Sequence, residues 1–324
     1  MTLTAPTANR PKAWKRAPVR YADRDCHNQG ILTCTRQIDL GAAPTNITVS
    51  STFHFGFYDK GNPSDVMLVS ADCVYFCVCS ERLLSVSNDG FGSLLPASHN
   101  AILSVPLTSK VLNVLLHAIY DLPLARYAPS INDISQAIAA MGAYGIKAKH
   151  VITPPSSLFQ TIIQNAISSP LECYAIAASS HLEELAVAVS PYTLSCSFVS
   201  LKDSMVRDMG PQYLKRLVCL HYDRVNTFKQ LVFPPPGPHP PTDTCDIPAQ
   251  RALARAWTLA MAYLCWDFQV ALSVSTIEAA LRPLGKKLEC EVCGEYLDRR
   301  IKKLLVEWSL VKVCTLPWHV KKVI

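Results

Sequence analysis

Two consecutive runs, Asp65-Val66-Met67-Leu68-Val69-Ser70 and Val74-Tyr75-Phe76-Cys77-Val78-Cys79, limit what this chain can become. Their length and their β-branched and aromatic content predict a hairpin that turns at Ala71-Asp72. Val66, Leu68 and Ser70 alternate with Met67 and Val69, so both faces of the first strand are largely apolar. A strand of that kind is buried on both sides, which requires helices over the sheet. The sequence supplies them. Glu81 to Ser85 and Phe91 to Leu95 read as short helices, and Ala101 to Leu107 as a short strand. Ser109 to Tyr120 places Val111, Leu112, Leu115, Leu116 and Ile119 on one helical stripe, with Ser109 as its N-cap. Asn132 to Gly145 sets Ile131, Ile134, Ile138 and Met141 at helical spacing and ends at glycine. Upstream, Ile31 to Ile38 and Ile47 to Phe55 read as edge strands. The expectation is an α+β domain over residues 29–150, with its core at 53–150: a small mixed sheet covered by helices.

Pro154-Pro155 followed by Ser156-Ser157 marks a boundary. From 151 to 324 the pattern is helical. Leu158, Phe159, Ile162, Ile163 and Ile167 share one face. Pro170 to Val189 reads as one long helix, Pro211 to Val232 as another, and helices resume at Pro248 and at Thr276 to Leu288. Between them lies a proline-rich loop at 233–245, with polyproline-II character over Phe233 to Pro241, expected as a surface excursion. In the last helix Leu297, Ile301, Leu304, Leu305, Trp308 and Val311 form one face, opposite Arg299, Arg300, Lys302 and Lys303. Such a stripe is expected to dock on its own domain.

Composition bounds the function. Residues 1–25 carry six Lys or Arg against Asp23 and Asp25, and residues 286–324 nine basic against five acidic groups. With a total of +6, the middle of the chain is slightly negative, a poor electrostatic match for nucleic acid. Residues 1–28 lack periodicity and are expected to form a disordered basic tail; a nuclear import signal around Arg10 to Arg16 is the less favoured reading. No apolar signal segment is seen near Met1, so an intracellular location, nucleus or cytoplasm, and reduced thiols are expected for the thirteen cysteines. Ala256 to Ile277 is apolar except for Asp267, whose central charge argues against a membrane span.

Cys290-Glu291-Val292-Cys293 is half of a tetrahedral metal site. His239, Cys245, Cys314 or His319 could complete it, but none gives the spacing of a second ligand pair. The expectation is therefore no metal and no cofactor. With no phosphate loop, HExxH or GxSxG, neither catalysis nor a small-molecule substrate is expected. His181 reads as a surface or capping residue.

Asp65-Val66, Ser70, Asp72 at the turn, Phe76 with Val78, then Leu84, Ser87 and Phe91, and the closing Leu116 to Tyr120, resemble in order and spacing a BTB (POZ) domain. Tyr174-Ala175-Ile176-Ala177, Leu182 to Ala186, Tyr213-Leu214 and Cys290 to Cys293 extend the resemblance to fungal BTB proteins with a helical carboxy-terminal region. The resemblance implies a non-enzymatic scaffold or adaptor that homo-oligomerises through an apolar surface around Leu83, Leu84, Phe91, Leu94 and Leu95. A cullin-based ubiquitin ligase and a chromatin or transcription regulator are the alternative settings. Cys79-Ser80, where the family usually has His-Lys, and Thr108-Ser109-Lys110, where cullin binders carry an acidic residue, depart from the pattern.

Overall fold

The computed structural model describes residues 33–39, 44–98, 101–266 and 270–315; the expected basic tail lies outside them. The chain divides close to the predicted boundary. One compact unit runs to Val151 and takes in Ser156–Leu158, and the other holds Ile152–Pro155 and the chain from Phe159.

The first unit is built on a five-stranded mixed sheet. In chain order its strands are β1 (Thr33–Asp39), β2 (Pro44–Ser50), β5 (Val66–Val69), β6 (Val74–Val78) and β7 (Ile102–Ser104), with β3 (Tyr58–Asp59) and β4 (Asn62–Pro63) as a separate two-stranded ribbon. The spatial order is β1-β2-β6-β5-β7. The predicted hairpin occupies the centre: β5 runs antiparallel to β6 with Val66 opposite Val78, β2 is parallel to β6, and β7 is parallel to β5. Val66, Met67, Leu68, Phe76, Cys77 and Val78 are all buried, as two covered faces demand. At the turn the Ser70 amide donates to Val74 O at 3.0 Å, and Ser70 Oγ accepts from the Val74 amide at 3.0 Å.

Helices α1 (Ser80–Val86), α2 (Gly90–Ser93), α3 (Ser109–Tyr120), α4 (Ile131–Ala143) and α5 (Ala148–Val151) follow. The predicted helix at Phe91–Leu95 is reduced to the single turn α2, in which Phe91 and Gly92 adopt left-handed φ of 56° and 65°. Helix α3 is buried from Val111 to Tyr120 without interruption. The single stripe read from the sequence therefore understates a helix enclosed all round. Its N-cap is Thr108, not Ser109. Ser109 is turned inward, where its backbone N–H donates to Asp72 Oδ1 at 2.7 Å and its hydroxyl to Asp72 Oδ2 at 2.6 Å. Ser130 and Asp133 form a capping box that opens α4.

The second unit contains α6 (Ser157–Asn165) from Phe159 onward, α7 (Pro170–Ser179), α8 (Glu183–Val189), α9 (Asp203–Val232), α10 (Ile247–Trp266), α11 (Val274–Leu281) and α12 (Glu291–Ser309), with short 3-10 turns between some of them. The predicted helix from Pro170 to Val189 is broken. His181 adopts φ 52°, its amide donates to Ala178 O, and Leu182 N donates to Ala177 O at 2.8 Å. That is a Schellman cap with histidine where glycine is usual. Helix α9 starts earlier than Pro211 but is kinked there, with Gly210 at φ 68° and ψ 166°. The core gathers Phe228, Trp257, Ile277, Leu281, Leu297, Ile301, Leu304 and Trp308. Trp257 Nε1 donates to Val232 O at 3.0 Å and Trp308 Nε1 to Leu272 O at 2.9 Å, so both large rings are buried with their polar atoms satisfied. Among the described residues no helix is long and apolar enough to cross a membrane; Asp267 lies outside them.

Candidate metal centre

The proline-rich segment is mostly exposed, as expected for a surface excursion. Its inward contacts are not predicted by the sequence: it turns His239 inward, to 6% exposure, and delivers Cys245 into the core at 3%. Hydrogen bonds explain why it stays there. Arg300 on α12 donates to Pro234 O at 2.9 Å and also to Leu231 O. Gln250 Oε1 accepts from the His239 amide at 3.1 Å. Thr242 and Cys245 exchange backbone hydrogen bonds of 3.0 and 3.1 Å, closing a tight turn whose last residue is the thiol.

The CxxC pair meets this segment from the other side. Cys290 is the N-cap of α12 and Cys293 lies in its first turn, so the pair opens a helix. Helical spacing places both sulfurs on one side. His239 Nε2 is 3.2 Å from Cys293 Sγ and 3.5 Å from Cys290 Sγ, and Cys245 Sγ is 3.6 Å from Cys293 Sγ. All four donor atoms lie within 4.8 Å of one another. His239 Nδ1 sits 2.7 Å from Pro240 O. A carbonyl only accepts, so Nδ1 carries the proton and the Nε2 lone pair faces the sulfurs.

Protonation differs sharply within the cluster. The Cys290 thiol is lowered to about 7, first because the Cys293 backbone N–H donates to its sulfur. Burial raises Cys293 to about 12 and also raises Cys245. Beside the thiols opens a largely apolar cleft of about 500 Å³, with Leu253, Ala256, Leu284 and Leu288 in its wall. Three sulfurs and one imidazole nitrogen are a soft donor set with the stoichiometry of a tetrahedral site. The sequence offers His239 and Cys245 among four candidate residues to complete the half-site, yet no spacing rule selects them. Of the other two, Cys314 is half-buried and not part of the cluster, and His319 lies outside the described residues.

The residues singled out in the first unit prove to be architectural. Asp65 Oδ1 accepts from the Ser80 amide at 2.7 Å and its Oδ2 from the Ser80 hydroxyl, so the carboxylate holds the start of α1. Asp72 does the same for α3 through Ser109. Ser87 Oγ donates to Tyr144 O and accepts from the Phe91 amide, both at 2.7 Å. Tyr120 Oη accepts from the Cys79 amide at 2.9 Å. Phe76 and Val78 are core residues. Of the predicted interface, Leu83, Phe91 and Leu95 are buried within the unit itself. Leu94 is half-buried, and Leu84 is 40% exposed. Most of the predicted apolar surface is thus occupied internally, which leaves Leu84 and Leu94 for an outside contact. His181 is exposed at its helix cap.

Comparison with family models, with curated proteins and with solved structures returned no match.

Proposed function

We propose that this chain is a non-enzymatic protein-interaction scaffold or adaptor that self-associates through its first unit in the manner of BTB (POZ) proteins. The observation that carries this reading is the work done by the residues of the pattern. Asp65, Asp72, Ser87 and Tyr120 each tie one element of the first unit to another that is distant in sequence. A sequence pattern made of such ties specifies a framework, which favours reading the resemblance as one of architecture.

Self-association on that framework uses apolar groups left at the surface. Leu84, on the outward side of α1, is the natural centre, with Leu94 close to it in sequence. The amino-terminal hairpin adds a second route, because β1 is the terminal strand of the sheet and a terminal strand offers backbone donors and acceptors to a partner. Sedimentation equilibrium of the full chain at tens of micromolar tests the reading. A dimer or higher species that Leu84→Asp dissociates supports it, and a monomer at those concentrations contradicts it.

A further inference from the structure

We propose that His239, Cys245, Cys290 and Cys293 bind one zinc ion as a closed, structural site that fastens the proline-rich segment to the start of α12. This site is independent of the self-association reading, and either can fail alone.

The donor atoms already stand nearly where the ion needs them. Zinc–sulfur distances of ~2.3 Å and zinc–nitrogen distances of ~2.0–2.1 Å place tetrahedral ligands roughly 3.5–3.8 Å apart. The contacts here are 3.2, 3.5 and 3.6 Å, and the widest separation is no more than 4.8 Å. Ordinary buried thiols have no reason to converge from two remote segments onto the lone pair of an imidazole. The histidine is set in the ligating tautomer by a neighbouring carbonyl, the outer support that metal-bound histidines characteristically have.

The chemistry selects the ion. Three thiolates exclude magnesium and calcium, and a tetrahedral set of three sulfurs and one nitrogen suits zinc. Binding transfers the three thiol protons to solvent, leaving a centre of net charge −1 with the neutral imidazole. The N-terminus of the nineteen-residue helix α12 faces that charge with the positive end of its dipole. Four protein ligands leave no position for water, so the site is structural rather than hydrolytic.

The test uses the full chain, purified without chelator and supplied with zinc. Elemental analysis should find one zinc per chain, and Cys245→Ser with Cys293→Ser should lose it, whereas Cys265→Ser should keep it. Because the double variant could misfold, the wild-type chain carries the second arm. Alkylation read by mass spectrometry should spare Cys245, Cys290 and Cys293 in the zinc-loaded protein and modify them after chelation. Exposed Cys73 and Cys219 should react in both states. A folded chain that takes up no stoichiometric zinc overturns the proposal. So does equal Cys290 labelling with and without chelator, or purification with an iron–sulfur chromophore instead.

Discussion

His117 is 1% exposed against the Phe53 ring, 5.2 Å between centroids, and its Nδ1 meets Asn113 O at 2.8 Å. Desolvation lowers its pKa from 6.5 to about 4. His221 in the second unit is lowered to about 4 as well, first by burial and then by Arg224. Both are neutral in the fold and take up a proton more readily when unfolded. Their contribution is therefore fully present above about 6.5 and is lost progressively as pH falls toward about 4. For His117 the full shift corresponds to on the order of 3 kcal/mol. Thermal unfolding followed from pH 7 to pH 4 should show a falling midpoint, and His117→Gln should flatten part of that slope. An unchanged slope would remove His117 from the account. Neighbouring leucines separate stability from association. Leu83 is 0% exposed, so Leu83→Ala should cost about 2–5 kcal/mol in denaturant unfolding. Leu84→Asp, at a position 40% exposed, should leave stability within about 0.5 kcal/mol and act on oligomeric state instead.

Elements are legible where period and punctuation agree. The central hairpin, α3, α4 and the buried face of α12 all follow from apolar spacing and from proline or glycine at the ends, whereas Pro211, expected to start a helix, lies inside α9. The misreadings have physical causes. His181 ends α7 in a conformation that usually calls for glycine, so nothing in Ser179-Ser180-His181 announces the cap. Phe91 is likewise left-handed, with its amide held by Ser87 and that of Gly92 by Asp89, rather than by its own propensity. The half-site Cys290-Cys293 is visible in the sequence, whereas its completion depends on how a proline-rich segment folds back, which no local signal encodes. Two glycines at the end of α4 turn backbone conformation into a prediction. Gly145 has φ 64°, and a Cβ there would lie 2.3 Å from Asp89 Oδ1, whereas nothing lies within 4 Å at Gly142. Gly145→Ala should lower the stability of the first unit by at least about 1–3 kcal/mol. Gly142→Ala, within α4, should raise it by about 0.5–1 kcal/mol. Equal effects in chemical denaturation would mean that the Asp89 contact does not constrain the turn.

At the scale of the molecule, two units with separate cores should answer separately to chemical insult. Buried Trp257 and Trp308 both belong to the second unit and report on its packing through fluorescence. Removing zinc with a chelator should expose them and shift the emission to the red, because Cys245 and Cys293 belong to the same core cluster. Emission unchanged after complete removal would show that the centre does not support that core. Under the proposed function, the partner of the first unit is a second copy of the same chain. Sedimentation equilibrium of the wild-type chain and of Leu84→Asp, side by side at tens of micromolar, tests this most directly. Self-association through the first unit requires an associated wild type and a variant that is folded but shifted to monomer; a wild type that remains monomeric, or a variant that associates equally well, would contradict it.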